Sequence, residues 1–242
     1  MTTLIKIIVT FILSLVLFSC NFDMSFNPGV KGNGQVITTD RPITEGFSTI
    51  KATEGLNVIL TQSKTESISV EADENLQELI LTDVENGVLK IHTKSQIGKA
   101  TAKNIRVSFS IVSEIISTSG SEVSSTNTIT AEQLNLKSTS GSDMSLDVDT
   151  AVLTCKSTSG SDMRLSGKTT KLVAEATSGS DIQAADLMAE SSEVKATSGA
   201  DITVNTSKEL TAKATSGGDI KYYGNPEKVE KNDSASGNIK RK

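Results

Sequence analysis

One phrase recurs six times in the second half of this chain and fixes what it can fold into. It reads Thr118-Ser119-Gly120-Ser121-Glu122-Val123, and it returns from Thr139 to Met144, Thr158 to Met163, Thr177 to Ile182, Thr197 to Ile202 and Thr215 to Ile220. The central glycines are Gly120, Gly141, Gly160, Gly179, Gly199 and Gly217, so the steps are 21, 19, 19, 20 and 18 residues. A period near twenty belongs to solenoids, in which each repeat is one coil that buries its apolar residues against its neighbours.

Anchoring each repeat on its glycine shows which residues stack. Five positions before it stand Ile115, Leu136, Cys155, Ala174, Val194 and Ala212; three positions after it stand Val123, Met144, Met163, Ile182, Ile202 and Ile220. Both columns are apolar. The intervening odd offsets (minus three, minus one, plus one) hold only small residues, such as Ser138, Ser140 and Ser142. Alternation along an extended chain puts all odd offsets on one face, so the expectation is a narrow core or a sharp corner. The even offsets are polar: mostly lysine at minus four (Lys137, Lys156, Lys195, Lys213), threonine at minus two, and at plus two the acids Glu122, Asp143, Asp162, Asp181, Asp201 and Asp219. With strands about 4.8 Å apart, six such coils predict a parallel β-helix, a rod on the order of 30 Å long.

Residues 31–112 follow a different grammar, an irregular β region able to continue the helix. Leu56 to Leu60, Ile68 to Val70, Val88 to Ile91 and Ile105 to Phe109 alternate apolar with polar residues as half-buried strands do. Asn86-Gly87 predicts a hairpin turn, because both residues tolerate positive φ. Ala72 to Leu81 is the one stretch with a helical reading, capped by Asp73.

The N-terminus carries an address. Ile7 to Phe18 is an almost unbroken apolar run behind Lys6, too short for a comfortable membrane span and fitting a targeting segment over residues 1–19. It ends in Leu17-Phe18-Ser19-Cys20, which resembles a bacterial lipobox, so Cys20 is the expected lipidation site and membrane anchor. Residues 20–30 read as a tether, 31–112 as the irregular β region, 113–224 as the repeats and 225–242 as a C-terminal cap and tail. In Ser236-Gly237-Asn238-Ile239 the phrase returns without its acid and with the apolar residue one place closer to the glycine.

A net charge of −5, with no basic cluster before Lys240-Arg241-Lys242, argues against nucleic acid as a partner. With Cys20 lipidated, Cys155 is the only other cysteine, so an intrachain disulfide and the cysteine-rich metal patterns are not expected. Cys155 falls in an apolar column and reads as a core residue. The single histidine, His92, lies in an alternating strand and reads as a solvent-side residue. No Gly-x-Ser-x-Gly elbow accompanies it, which removes a Ser-His triad.

The acid column admits three readings. Calcium takes carboxylates and turn carbonyls, and Gly-Ser-Asp-Ile resembles part of a calcium-binding nonapeptide repeat, although here only half of such a motif occurs per twenty residues. That gives a calcium-stabilised rod. Paired acids can also cleave glycosidic bonds, yet these form an unbroken column, and the chain has no Trp and two Tyr. The structural reading makes each aspartate a turn residue that caps backbone N–H groups nearby.

Several phrases occur in one order: Gly32-Asn33-Gly34 before Arg41-Pro42, Glu45 to Ile50, Val70 to Leu76, Asn86 to Ile91, the Ser-Gly-Ser-Asp repeats and Tyr222 to Pro226. On these the chain resembles the bacterial family of auto-transporter adhesins, head GIN domain, from about Lys31 to Ile239. The resemblance implies β-helical domains, lipid-anchored proteins of the cell envelope and an adhesive role, and it carries over no catalytic residue. The expectation is therefore a non-enzymatic module on the outer membrane that binds an unidentified protein or glycan.

Overall fold

The computed structural model describes residues 28–234 and 236–242. The targeting segment, Cys20 and most of the tether lie outside them. Seventeen strands join in one sheet that winds into a β-solenoid of about seven turns, about 19 residues each. In chain order they are β1 (Val36–Arg41), β2 (Thr49–Ala52), β3 (Asn57–Gln62), β4 (Ser67–Asp73), β5 (Ile80–Glu85), β6 (Val88–Thr93), β7 (Lys103–Phe109), β8 (Glu114–Thr118) and β9 (Glu122–Ser125). The longer repeat strands follow: β10 (Ile129–Thr139), β11 (Asp143–Thr158), β12 (Asp162–Thr177), β13 (Asp181–Thr197), β14 (Asp201–Thr215), β15 (Asp219–Tyr223), β16 (Lys228–Asp233) and β17 (Asn238–Arg241).

From β8 onward each strand lies parallel on its counterpart one coil earlier, and the repeat register is the one the glycine alignment gives. Met144 pairs with Met163, Met163 with Ile182, Ile182 with Ile202 and Ile202 with Ile220. These residues, and the column from Ile115 to Ala212, are buried. Each large aliphatic side chain so enclosed contributes roughly 1.5–3 kcal/mol of burial free energy.

The irregular region continues the same stack, out of chain order. β2 lies parallel between β6 and β8, and β3 between β7 and β9. The chain thus lays down the β2–β3 coil, passes beneath it to form β6–β7, then crosses to build β8–β9 on the opposite side. Antiparallel strands close the lower end: β5 pairs with β6, β4 with β7, and β1 with β4. The β5–β6 hairpin turns at Asn86 and Gly87, with φ of 53° and 76°, as the Asn-Gly pair predicts.

Two expectations are corrected. The helical reading of Ala72–Leu81 reduces to one 3₁₀ turn, Glu74–Leu76, and Asp73 makes no side-chain cap to it. Its carboxylate is taken up elsewhere, by the N–H groups of Gly34, Thr101 and Ala102. At the other end the last phrase keeps its register: Asn238 pairs with Asp219 and Ile239 with Ile220. Gly237 therefore occupies the position after the repeat glycine, where an added Cβ would come 2.2 Å from the Ala214 carbonyl oxygen. Close backbone approach, not a displaced apolar residue, explains the altered spacing. Among the described residues no helix is long and apolar enough to cross a membrane.

Candidate functional site

The repeated phrase builds a corner. Its serine and glycine both adopt positive φ, 56° and 71° at Ser119 and Gly120, and 58° and 67° at Ser159 and Gly160. Two left-handed residues in succession interrupt the alternation at the corner, so the minus-one serines are exposed, while the residues one and three after the glycine return to the inner face. The corners stack through their backbones: the N–H of Gly120, Gly141, Gly160, Gly179 and Gly199 each donates, at 3.1 Å, to the carbonyl of the left-handed serine one coil on.

The serine after the glycine locks each corner from inside. The buried Ser161 hydroxyl accepts the Thr158 N–H at 3.2 Å and reaches the Thr158 and Ser138 carbonyls at 2.9 and 2.8 Å. Ser142 and Ser180 repeat this arrangement. The hydroxyls thus perform the capping expected of the aspartates. Among the described residues no aspartate of the column accepts a backbone N–H; Asp181 instead accepts from the Gln183 amide at 2.9 Å.

Freed from the turn, the acids form one column across the strands. Glu122 pairs with Asp143, and Asp162, Asp181, Asp201 and Asp219 follow in register. Asparagines bound it at both ends: Asn57 pairs with Glu122 and Asn104 with Asn57 below, and Asn238 pairs with Asp219 above. Burial, and then the charges of Asp181 and Asp143, push the Asp162 carboxyl above the ordinary aspartate range, while Arg164 pulls the other way. Like-charge repulsion along the column therefore adds to burial at Asp162 and is offset in part by Arg164.

On the other flank of the corner runs a basic column. Lys137, Lys156, Lys195 and Lys213 share a row with Glu175, which stands between Lys156 and Lys195. Lys195 donates to Glu175 at 2.8 Å and holds its carboxyl below the usual range, with Lys156 3.7 Å away. Between these charged rows lies the threonine column, Thr118 to Thr215, in continuous register. The surface is a ridge with cations on one flank and acids on the other.

A further copy of the corner escaped the repeat alignment. Thr53-Glu54-Gly55-Leu56-Asn57-Val58 turns with φ of 61° at Glu54 and 68° at Gly55, and Asn57 and Val58 pair with Glu122 and Val123. The signal lay in the threonine two before the glycine and the apolar residue three after it. Glutamate and leucine in place of two serines concealed it.

No other chemistry converges here. Cys155 is buried, which pushes its thiol far up, out of reactive range. His92 is half-exposed and meets Asp83 at 3.0 Å. Among the described residues no group of three or more His, Cys, Asp or Glu is arranged to hold a metal ion.

The model of the family described as "Putative auto-transporter adhesin, head GIN domain" matches residues 46–226. A crystal structure of a putative adhesin from Bacteroides fragilis is similar, with 21% identity, 88% of this chain and 100% of that one covered, and a TM-score of 0.81. A putative lipid binding protein from Parabacteroides distasonis is also 21% identical, with 88% and 99% covered and a TM-score of 0.73. A putative adhesin from Parabacteroides merdae is 18% identical, with 88% and 98% covered and a TM-score of 0.68. At these identities the likeness shows the β-solenoid fold. Among curated proteins there is no match.

Proposed function

The chain belongs to the family of auto-transporter adhesins, head GIN domain, and from that premise we propose a lipid-anchored, non-catalytic binding module of the cell envelope. Cys20 carries the anchor, and the solenoid presents its charged ridge to an extended protein or glycan. The observation that supports this reading is the unbroken register of the acid, threonine and lysine columns over successive coils. A partner with a matching repeat engages many weak contacts at once, and affinity then comes from their number. An acid row with one carboxylate per coil in an unbroken column suits binding better than hydrolysis, which uses a pair of carboxyls flanking the bond to be cleaved.

The ridge is tested by binding of the full chain to immobilised envelope extract and to a glycan panel. Asp143→Asn/Asp162→Asn/Asp181→Asn is expected to reduce capture at least tenfold with the fold intact by circular dichroism. Unchanged capture would remove the acid column from the interface. Anchoring is tested separately: Cys20→Ala is expected to move the protein from the membrane to the soluble fraction.

A further inference from the structure

The lower end of the solenoid offers a second surface, unrelated to the charged ridge. β5 pairs with β6 on one side only, whereas β4 in the same layer is covered by β1. The position beside β5 is an open cleft of about 790 Å³, walled on its far side by Thr39, Arg41 and Pro42. Gln77 braces that wall, accepting from the Arg41 guanidinium at 2.7 Å through its carbonyl and donating its amide to the Ile37 carbonyl at 2.9 Å.

The phase of the ladder fixes which groups face the cleft. Lys94 N–H donates to the Leu79 carbonyl at 2.9 Å, and antiparallel pairs alternate between hydrogen-bonded and not. Leu81, Asp83 and Glu85 therefore bond to β6, and Ile80, Thr82 and Val84 turn their N–H and C=O groups outward. The side chains of Asp83 and Glu85 stand on the solvent face, 53% and 59% exposed. Each uses a single oxygen on a partner within the hairpin, Asp83 Oδ2 with His92 and Glu85 Oε2 with Lys90. By contrast, the exposed β16 at the opposite end carries Lys228, Glu230, Lys231 and Asp233 within six residues, a mixed charge pattern of the kind that discourages strand addition.

We infer that the free edge of β5 docks an extended peptide segment of another protein by strand addition, with basic residues at alternate positions. Main-chain bonds to Ile80, Thr82 and Val84 supply the pairing, and side-chain neighbours across the new ladder supply the choice. Run antiparallel, the incoming strand sets one residue opposite Glu85, the next but one opposite Asp83 and the next but one again opposite Leu81. That pattern reads basic, any, basic, any, apolar. Pairing with a second β5 is disfavoured, since it would bring acids against acids.

The probe is a blocked, fluorescently labelled peptide, Lys-Thr-Lys-Thr-Val-Thr, titrated with the full chain, with Glu-Thr-Glu-Thr-Val-Thr as its control. The lysine peptide is expected to bind at least tenfold tighter than the control. Thr82→Pro deletes one outward N–H at an edge position that tolerates proline, and is expected to lose that binding while the melting temperature holds. Asp83→Lys/Glu85→Lys is expected to reverse the preference, which decides the matter even if the proline variant unfolds. Equal binding of both peptides, or an unreversed preference in the charge variant, overturns the inference. So does concentration-dependent dimerisation lost in Thr82→Pro, which would assign the edge to a second copy. None of these variants touches the acid column, so this result and that of the ridge are independent.

Discussion

Ser161 shows how one hydroxyl decides the repeat. Buried between two coils, it is the partner of the Thr158 N–H and lies 2.8 Å from the Ser138 carbonyl. Ser161→Ala leaves a buried donor unmet, which costs about 1–3 kcal/mol, read as a lower urea midpoint with an unchanged slope. The complementary site is Ala200, which stands buried where the four preceding repeats have Ser121, Ser142, Ser161 and Ser180. Ala200→Ser is expected to gain about 0.5–1.5 kcal/mol by the same bond, and a lower midpoint would refute the assigned role. The glycines divide on a similar argument. A Cβ on Gly160 meets nothing within 4 Å, so Gly160→Ala costs only the left-handed backbone, about 1 kcal/mol. A Cβ on Gly167 would lie 2.1 Å from the Val148 carbonyl oxygen, so Gly167→Ala must displace a strand and is expected to be the more damaging of the two in the same unfolding assay.

At the scale of the coil, the acid column makes stability depend on pH in an unusual direction. The folded Asp162 carboxyl lies above its ordinary value of 3.8, so the folded state takes up the proton before the unfolded chain does. The penalty of burying this charge beside Asp181 and Asp143 is then fully present at neutral pH and is relieved as pH falls through the folded value. Asp162→Asn is expected to be more stable than the parent at pH 7, and that difference should shrink on acidification and vanish below about 3.8. A constant difference across the range would mean that packing, not charge, separates the two. The row itself was legible in the sequence because register in a parallel stack follows chain period. Its bounds were not. Asn57 and Asn104 belong to coils that the chain lays down out of order, and a glycine-anchored alignment has no means of finding such neighbours. Parity likewise failed at the corner, since alternation holds only while φ stays negative, and Ser159 and Gly160 both break it.

Across the whole molecule, the scattered phrases that mark the family turn out to be contacts between one another. Gly32-Asn33-Gly34 sits on the Val70-to-Leu76 phrase: Asp73 accepts the Gly34 N–H at 2.9 Å, and Asn75 Oδ1 accepts that of Asn33 at 2.9 Å. A Cβ on Gly32 would lie 1.9 Å from Asp73 Oδ2, so only glycine fits there. The Glu45-to-Ile50 phrase meets the Asn86-Gly87 turn, whose Gly87 carbonyl accepts from Ser48 and Thr49. Asp73 thereby becomes the joint of the lower end, since it also accepts the Thr101 and Ala102 N–H groups at 3.0 Å. Burial alone would raise its carboxyl, but the N–H groups of Gly34, Ala102 and Thr101 hold it below 3.8. Here the sign is the reverse of Asp162: the stabilisation is complete above the unfolded value and is lost as pH falls below it through the folded one. Acid should therefore first remove the charge penalty at Asp162, leaving the coils intact, and then release the cap. Hydrogen exchange on lowering pH is expected to expose the amides of Gly34, Thr101 and Ala102 while those of Thr158 and Thr177 stay protected. Asp73→Asn should bring the same opening to neutral pH, and simultaneous loss of protection in both sets would show instead that cap and coils unfold as one unit.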